Sequence, residues 1–330
     1  MKKILNQPSA YVDETLAGLC AAYPEHYTLT SARVLARTGG AQPGKVGIVT
    51  GGGSGHLPVF LGYVGQGLLD ACAVGNVFAG PRVADCVGAI EAANGGAGVL
   101  TLYGNYGGDR MNFEMAQEQL ESDTLPLTSV RVADDVASAS PAERDKRRGV
   151  AGMVLTFKVA GACAAAGHPL ATVTRVANKA AQACRSIGVA LTPCTVPESG
   201  KASFQIADAE IEFGMGIHGE PGLWRGPMKS ADALTDEMLD LLLPELHLST
   251  GDRVAVLVNS LGATPHEELF IVYRRVAQVL AARGVRPVMP LVGRYATSME
   301  MTGLSLTLMP LDSELETLLT APADCPFWKV

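Results

Sequence analysis

Hydrophobic and polar positions along the chain follow helical spacing in some segments and form short apolar runs in others. Helical spacing predicts helices over residues 11–22, 81–93, 112–120, 149–166 and 171–186. Apolar, β-branched runs between turn residues predict strands over residues 46–50, 98–103 and 128–133. The first half of the chain is therefore expected to alternate helices with strands, as α/β domains do.

After residue 186 the pattern changes to shorter strands, predicted over residues 189–192, 204–206 and 211–213. Further along we predict a helix over 231–243, a strand over 253–258, a helix ending at 282, and strands over 288–292 and 304–309. The chain is thus predicted to be an α/β protein of two domains, residues 1–186 and 187–330, each a β-sheet flanked by helices.

Two glycine-rich segments directly follow predicted strands of the first half. One runs from Thr50 to His56, and the other runs from Gly104 to Asp109 and precedes a helix. In open parallel sheets, the loops at the carboxyl ends of the strands lie on one side and form the ligand crevice. We therefore expect His56 and Asp109 to lie together.

A third glycine-rich segment, residues 213–222, carries His218. Glycines let the backbone approach a ligand and expose N–H donors, and a histidine exchanges protons near neutral pH. This pattern predicts a site for a small polar ligand. Alternatives remain: His56 caps a helix or binds a backbone carbonyl, and Asp109 caps the helix that begins near Asn112. Residues 259–265 form either a plain strand-to-helix connection or a contact with the ligand or a neighbouring subunit.

Common nucleotide-binding motifs are absent from the sequence. The P-loop needs a lysine after its last glycine, where this chain has His56, and the spaced dinucleotide fingerprint is not met after Val49. The nucleophile elbow of hydrolases would need glycine at position 56. The glycine-rich segments therefore indicate another kind of ligand.

Composition narrows the class of protein further. The 330 residues are 48% hydrophobic, and the net charge of −7 disfavours nucleic acid and anionic membranes as partners. The first apolar stretch is too short for a signal sequence, and no run approaches a membrane span, so we expect a cytoplasmic protein. Seven cysteines without CxxC spacing indicate buried thiols, and we expect no metal site.

Taken together, several motifs resemble the DhaK subunit of dihydroxyacetone kinases from about residue 1 to the C-terminus. They are residues 51–56 (GGGSGH), 105–106 with 108–109, 112–114, 147–149, 213–222 (FGMGIHGEPG) and 259–265 (NSLGATP). The resemblance implies a two-domain, DhaK-like fold that is distantly similar to the DegV type. A fatty-acid-binding function of the DegV type is disfavoured, because it would not need paired histidines on glycine loops.

The resemblance also implies roles for the site residues. His218 would attack the carbonyl of a small ketose and form a covalent hemiaminal, which glycerol cannot form because it has no carbonyl. His56 and Asp109 would be the acid–base pair at the terminal hydroxyl. The remaining contacts with the substrate hydroxyls would come from Gly53, Ser54, Gly55 and Gly104.

Family members of this type do not bind nucleotide themselves. The resemblance therefore implies no cofactor in this chain, and Mg-ATP/ADP on a separate, helical DhaL-type subunit. That partner would be regenerated by a phosphotransferase-system protein of the DhaM type or would exchange ATP. The chain ends at Val330, so we expect the partner to be a different polypeptide, and we expect a homodimer as in the family.

Three positions depart from the family pattern: Leu57 replaces a common Glu, Gly80 a common Ser and Gly104 a common Lys. The two glycines are expected to enlarge or reshape the pocket, so a four-carbon ketose such as erythrulose is an alternative to dihydroxyacetone. A second alternative is a non-catalytic paralogue that senses the ketose through His218 and signals to a transcription regulator. The presence of both His56 and Asp109 argues against such a sensor.

Overall fold

The computed structural model describes residues 2–120 and 125–330. Within these residues the α-helices are α1 (Tyr11–Ala22), α2 (Val83–Ala93), α3 (Gly107–Leu120), α4 (Gly152–Ala165), α5 (Leu170–Ala183), α6 (Ala231–Leu242), α7 (His266–Ala282) and α8 (Ser313–Leu319). The helix predicted over residues 81–93 begins later, at Val83, and the helix predicted from 149 begins at Gly152.

The first sheet has six strands within the described chain: β1 (Tyr27–Ser31), β2 (Val34–Arg37), β3 (Gly47–Ser54), β4 (Ala71–Val77), β5 (Val99–Gly104) and β6 (Leu127–Val132). Their order is β1-β2-β4-β3-β5-β6, and the four strands from β4 to β6 run parallel. Because β3 and β5 are parallel neighbours, the segments that follow them leave the same edge of the sheet, as predicted.

The second sheet also has six strands among the described residues: β7 (Arg185–Thr192), β8 (Glu210–Phe213), β9 (Trp224–Pro227), β10 (Arg253–Ser260), β11 (Arg286–Gly293) and β12 (Thr302–Leu311). Their order is β11-β10-β12-β7-β8-β9, and every pair except β10–β11 is antiparallel. The two sheets with their flanking helices confirm the predicted fold class.

Two predictions in this region were wrong. Residues 204–206 form no strand. The helix predicted over 171–186 ends at Ala183, because Arg185 and Ser186 already pair with Leu308 and Thr307 of β12. Pairing with a distant strand thus overrides the local helical pattern.

The glycine run after Val49 was predicted as a loop, and this was wrong too, because β3 continues through it to Ser54. Gly51 and Gly52 pair with residues of β4. An ideal Cβ on Gly52 would lie 2.4 Å from the Phe60 ring, and one on Gly51 would lie 2.9 Å from the Phe113 ring. Close packing therefore requires these glycines, beyond any need for loop flexibility.

Helix α4 connects the two sheets. Every residue from Gly152 to Ala164 is buried, and the helix packs against β3, β5 and β6 of the first sheet, β12 of the second, and the helices α5 and α8. Such all-round burial explains why α4 is apolar on every face. The two sheets consequently share a continuous core.

Residues after the second sheet return to the first. Helix α8 packs on α4, and the short hairpin of β13 (Asp324–Cys325) and β14 (Trp328–Lys329) joins Gln66 through Asp324. The predicted division between residues 186 and 187 falls within β7, and the domain boundary stays a prediction.

Two further properties of the described chain concern its cysteines and the length of its apolar helices. All seven cysteines are free thiols, and every one except the half-buried Cys20 is buried, as the sequence predicted. No helix in the ranges 2–120 and 125–330 is both long and apolar enough to cross a membrane.

Candidate functional site

His56 follows β3 through Gly55, whose positive φ of 103° turns the chain. The imidazole is 1% exposed, and its Nδ1 lies 2.6 Å from the carbonyl oxygen of Thr297. A carbonyl only accepts hydrogen bonds, so Nδ1 carries the proton and Nε2 carries a lone pair. His56 does bind a backbone carbonyl, as one alternative held, but its buried Nε2 has no partner in the described chain.

Burial, and to a lesser extent the neighbouring His218, lower the pKa of His56 to about 3, against the opposing effect of the Thr297 carbonyl. The ring is therefore neutral at physiological pH. Its Nε2 is an acceptor and a potential base, held in one orientation by Thr297 and by the Phe78 ring, whose centroid lies 5.0 Å away.

His218 lies on the connection between β8 and β9 and reaches the first half of the molecule. Its ring centroid is 4.7 Å from that of His56, at an interplanar angle of 80°. Nδ1 lies 2.9 Å from Glu220 Oε1, and the His218 main-chain N–H donates to Glu220 Oε2 at 2.9 Å. The carboxylate fixes the proton on Nδ1, so the Nε2 lone pair of this partly exposed ring is free to react.

Glu220 is an ionised partner. Burial alone would raise its pKa, but the hydrogen bond from His218, and the positive charge of that ring when it is protonated, hold the pKa at about 2. Arg148 lies beside this carboxylate, since an ideal Cβ on Gly216 would lie 2.3 Å from Glu220 Oε2 and 3.0 Å from an Arg148 nitrogen. Arg148 in turn pairs with Asp135 at 2.7 Å. Sequence reasoning quoted Glu220 and Arg148 within motifs and assigned neither a role.

Asp109 is the third residue of α3, and its buried side chain lies close enough to His218 for their charges to interact. Its Oδ1 has no hydrogen-bond partner among the described residues. Burial raises the pKa of Asp109 to about 7, and the proximity of His218 limits the rise. The carboxyl group can therefore gain or lose a proton near neutral pH.

Two aromatic side chains complete the walls. The Tyr106 ring centroid lies 4.8 Å from that of His218, and its hydroxyl is buried without a partner in the described chain. Phe78 lies edge-on to His218 at 5.7 Å and has a positive φ of 56°, which is uncommon for a bulky residue. Sequence reasoning placed neither residue in the site, although the motif around Asp109 contains Tyr106.

The predicted backbone contacts lie around these side chains. An ideal Cβ on Gly53 would lie 2.8 Å from the Ala79 nitrogen, and one on Gly104 would lie 3.2 Å from the Tyr106 ring. The Ser54 hydroxyl donates to the Gly75 carbonyl at 2.8 Å, which is an internal structural bond. Strand β5 pairs with β3 only up to Val49, so the glycine-rich end of β3 has a partner strand on one side only. The substrate contacts of Gly53, Ser54, Gly55 and Gly104 stay predictions.

The connection at residues 259–265 serves the fold. The Asn259 amide donates to the Ala296 carbonyl and accepts from the main-chain N–H groups of Tyr295 and Ala296, and the Ser260 hydroxyl donates to the Thr264 carbonyl. These bonds favour the plain connection over a ligand contact for Asn259 and Ser260.

Together, the site contains two imidazoles with Nε2 lone pairs, a carboxyl group that titrates near neutrality and a tyrosine hydroxyl. Buried polar atoms normally have partners, so this cluster leaves hydrogen-bonding positions open to water or to a polar ligand. Across residues 2–120 and 125–330, no group of three or more His, Cys, Asp or Glu side chains is placed to hold a metal ion. The arrangement suits nucleophilic attack and proton transfer.

Sequence comparison finds the Dak1 domain over residues 17–327. The chain is 43% identical over 332 residues to the PTS-dependent dihydroxyacetone kinase 2, dihydroxyacetone-binding subunit DhaK, of Listeria innocua, and the match covers 100% of both chains. It is also 43% identical to the L-erythrulose kinase of Pectobacterium atrosepticum, over 100% of this chain but only 56% of that one.

Solved structures agree with this assignment. The dihydroxyacetone kinase of C. freundii matches with a TM-score of 0.90 and 33% identity, over 99% of this chain and 60% of that one. A dihydroxyacetone kinase operon co-activator, DhaQ, matches with a TM-score of 0.89 and 30% identity, over 96% and 98% of the two chains. The chain belongs to the Dak1 family, the family of the dihydroxyacetone-binding kinase subunit DhaK.

Proposed function

We propose that this chain binds a small ketose, dihydroxyacetone in the first instance, as a covalent adduct on His218. It then presents the terminal hydroxyl for phosphorylation by a nucleotide-loaded DhaL-type partner. The observation that carries the proposal is the cluster of unpartnered buried atoms around His218, namely His56 Nε2, Asp109 Oδ1 and the Tyr106 hydroxyl. The name of the Listeria innocua relative supports the same substrate.

The adduct forms by addition to the ketone. The Nε2 lone pair of His218 forms a bond to the carbonyl carbon, and the π electrons of the C=O bond move to its oxygen, which takes up a proton. The alkylated ring becomes positively charged, and the Glu220 carboxylate on Nδ1 stabilises that charge. Glycerol offers no such carbonyl, so selection rests on bond formation, and small differences in shape matter less.

Phosphoryl transfer then uses the other two groups. In the bound substrate the terminal hydroxyl donates its one hydrogen bond to Nε2 of His56, which orients the oxygen. As that oxygen attacks, its proton passes to the Asp109 carboxylate. The oxygen attacks the terminal phosphoryl group on the partner, and the nucleoside diphosphate stays there as the leaving group. General acid–base help of this kind contributes about 10²–10⁴-fold in rate.

The partner subunit supplies the phosphoryl group. Mg-ATP/ADP is expected on the DhaL-type chain, and the PTS-dependent Listeria innocua relative favours a phosphotransferase-system protein of the DhaM type as the source of phosphate. The homodimer and the cytoplasmic location stay predictions.

Carbon NMR tests the adduct directly. Dihydroxyacetone and erythrulose, each labelled at the carbonyl carbon, are mixed with the wild-type protein and with His218→Ala. We expect the ketone signal to move to a tetrahedral carbon with the wild type only. A ketone signal that persists with both sugars, or a tetrahedral signal that survives His218→Ala, would refute the proposed adduct.

A four-carbon ketose is the second candidate, supported by the match to the L-erythrulose kinase. At Gly80 an ideal Cβ would lie 2.5 Å from Asp109 Oδ1, so a side chain there would press on the proposed base. A cavity of about 220 Å³ also adjoins Gly80, but Asp109 and His218 do not line it, so the space that the absent side chain leaves at Gly80 is what supports this candidate.

The double substitution Gly80→Ser with Gly104→Lys tests this second candidate. We expect it to shift relative kcat/KM from four-carbon toward three-carbon ketoses, because it returns side chains to both positions. Gly18→Ser is the control, since no atom lies within 4 Å of the new Cβ in that exposed helix. Unchanged relative kcat/KM in the double variant would remove the basis for this candidate.

The co-activator DhaQ shares the fold, so the fold alone does not separate a kinase subunit from a sensor. A sensor needs only the adduct, whereas the unpartnered atoms of His56 and Asp109 suit proton transfer. The two functions differ in one readout, which is whether phosphorylated ketose appears when a nucleotide-loaded DhaL-type partner is added.

A further inference from the structure

A second cavity, of about 420 Å³, lies on the other side of the His56 turn. It is bounded by α1, by Ser54 and Gly55 at the end of β3, and by the segment between β11 and β12. Neither His218 nor Asp109 lines it, but Ser54 and Gly55 do, so the cavity adjoins the proposed ketose site from the other side of the β3 end. Its volume falls within the ~300–1,000 Å³ typical of small-molecule sites.

Most of the wall area of this cavity is apolar, although the side chains of Thr15 and Thr297 also line it. Helix α1 contributes Val12 and Leu16, and the opposite side is formed by Leu57, Leu61 and Met299. These side chains cannot form hydrogen bonds with a polar group that lies against them. The body of a ligand that fits must therefore be apolar.

The charged side chains at the cavity favour an anionic ligand. Lys3 is paired with Glu300, whose Oε1 also accepts the main-chain N–H of Thr195. Arg294 is exposed, and its side chain has no ion pair or hydrogen bond within residues 2–120 and 125–330. The lining therefore keeps one uncompensated positive charge, and a guanidinium group binds carboxylate and phosphate oxygens well.

We propose that this cavity binds an amphipathic anion, with an aliphatic chain between α1 and Met299 and a carboxylate or phosphate monoester head at Arg294. Thr297 lines the same cavity and its carbonyl holds His56, so an activity assay would mix the two sites. The test of this proposal therefore has to measure ligand binding directly.

Isothermal titration calorimetry on the full chain provides the test, with octanoate, octyl phosphate and octylammonium as probes. We expect one saturable site per chain for octanoate, octyl phosphate or both, which identifies the head group, and no such site for octylammonium. Arg294→Gln should weaken the binding about tenfold, as expected for loss of a charge-assisted hydrogen bond. Arg283→Gln, at an exposed arginine outside the cavity, should leave it unchanged.

A second variant tests the position of the chain. Thr15→Trp fills the cavity from an exposed position on α1 and should abolish binding while the thermal unfolding midpoint stays near the wild-type value. The proposal fails if neither anion saturates a site, if octylammonium binds equally well, or if both variants bind like the wild type. None of these readouts depends on ketose phosphorylation.

Discussion

His56 and His218 are edge-on neighbours that differ in what holds Nδ1. In His56 the partner is the neutral carbonyl of Thr297, and the ring is buried. In His218 the partner is the carboxylate of Glu220, and the side chain is 24% exposed. The two ring centroids are 4.7 Å apart, but of the two Nδ1 atoms only that of His218 is bonded to a carboxylate.

In the proposed function, this difference divides the chemistry between two identical side chains. Burial and the neighbouring His218 keep His56 uncharged, with a pKa of about 3, although the Thr297 carbonyl opposes this effect, and a neutral ring suits an acceptor. A carboxylate partner stabilises a cationic ring, which is what covalent addition through Nε2 produces. On this proposal, burial assigns His56 to orient a hydroxyl, and the carboxylate at Nδ1 assigns His218 to form the bond.

The largest expected effect comes from removing the acceptor. His56→Asn should slow phosphoryl transfer by about 10²–10⁴-fold, because Nε2 no longer receives the hydroxyl hydrogen bond. The adduct signal in carbon NMR should remain, since His218 and Glu220 are untouched. The measurement pairs kcat with a DhaL-type partner and the NMR signal.

His168→Asn, at an exposed histidine far from the site in sequence, is the matched control and should keep both properties. Loss of the adduct in His56→Asn would instead mean that the two imidazoles act together in the addition step.

A smaller effect is expected from removing the counter-charge. Glu220→Gln keeps the size of the side chain but loses the charge, so adduct affinity should fall about tenfold to hundredfold. Carbon NMR titration with labelled ketose measures it. Glu210→Gln, on β8 nearby, is the control and should bind like the wild type. Equal affinity in Glu220→Gln would show that the partner of Nδ1 does not distinguish the histidines.

The smallest effect concerns pH. Burial raises the pKa of Asp109 to about 7, so below pH 7 the carboxyl is increasingly protonated and cannot take the hydroxyl proton. We expect kcat at pH 6 to be about one tenth of its plateau above pH 8. In Asp109→Asn the remaining rate should lack this dependence, whereas a dependence that comes from the partner would persist.

The same shift has a consequence for stability. The folded pKa lies above the usual value of 3.8, so protonated Asp109 is favoured in the folded state and ionisation costs stability as the pH rises from about 4 to 7. Asp109→Asn should therefore raise the free energy of unfolding at both pH values, and the gain should be about 2–3 kcal/mol larger at pH 8 than at pH 5. An equal gain at both values would contradict the raised pKa.

Much of this arrangement could be predicted from local sequence. The apolar runs before Thr50 and Gly104 predicted parallel strands whose ends deliver His56 and Asp109 to one edge, and the fold confirms that geometry. The extent of β3 could not be predicted, because glycine disfavours strands and its packing partner Phe113 is over sixty residues away in sequence.

The supporting residues were harder to find. Thr297 is 241 positions from His56 and acts through its backbone, so no residue type marks it. Glu220 is only two positions from His218. A carboxylate so close to a histidine indicates a hydrogen-bond partner for the imidazole, but the motif alone did not reveal that role. Tyr106 and Phe78 could not be placed in the site from the sequence, because their contacts with His218 form only when the two sheets pack together.

The return of the chain to the first sheet after β12 affects how this protein is made. Leu315, Leu319 and Trp328 belong to the same apolar core as Ile48 of β3. During synthesis, that core stays open until these late residues have left the ribosome, and long-range contacts of this kind slow folding. A nascent chain stalled within the second sheet would expose the apolar faces that α8 and the hairpin cover, and it would need chaperone protection until translation resumed.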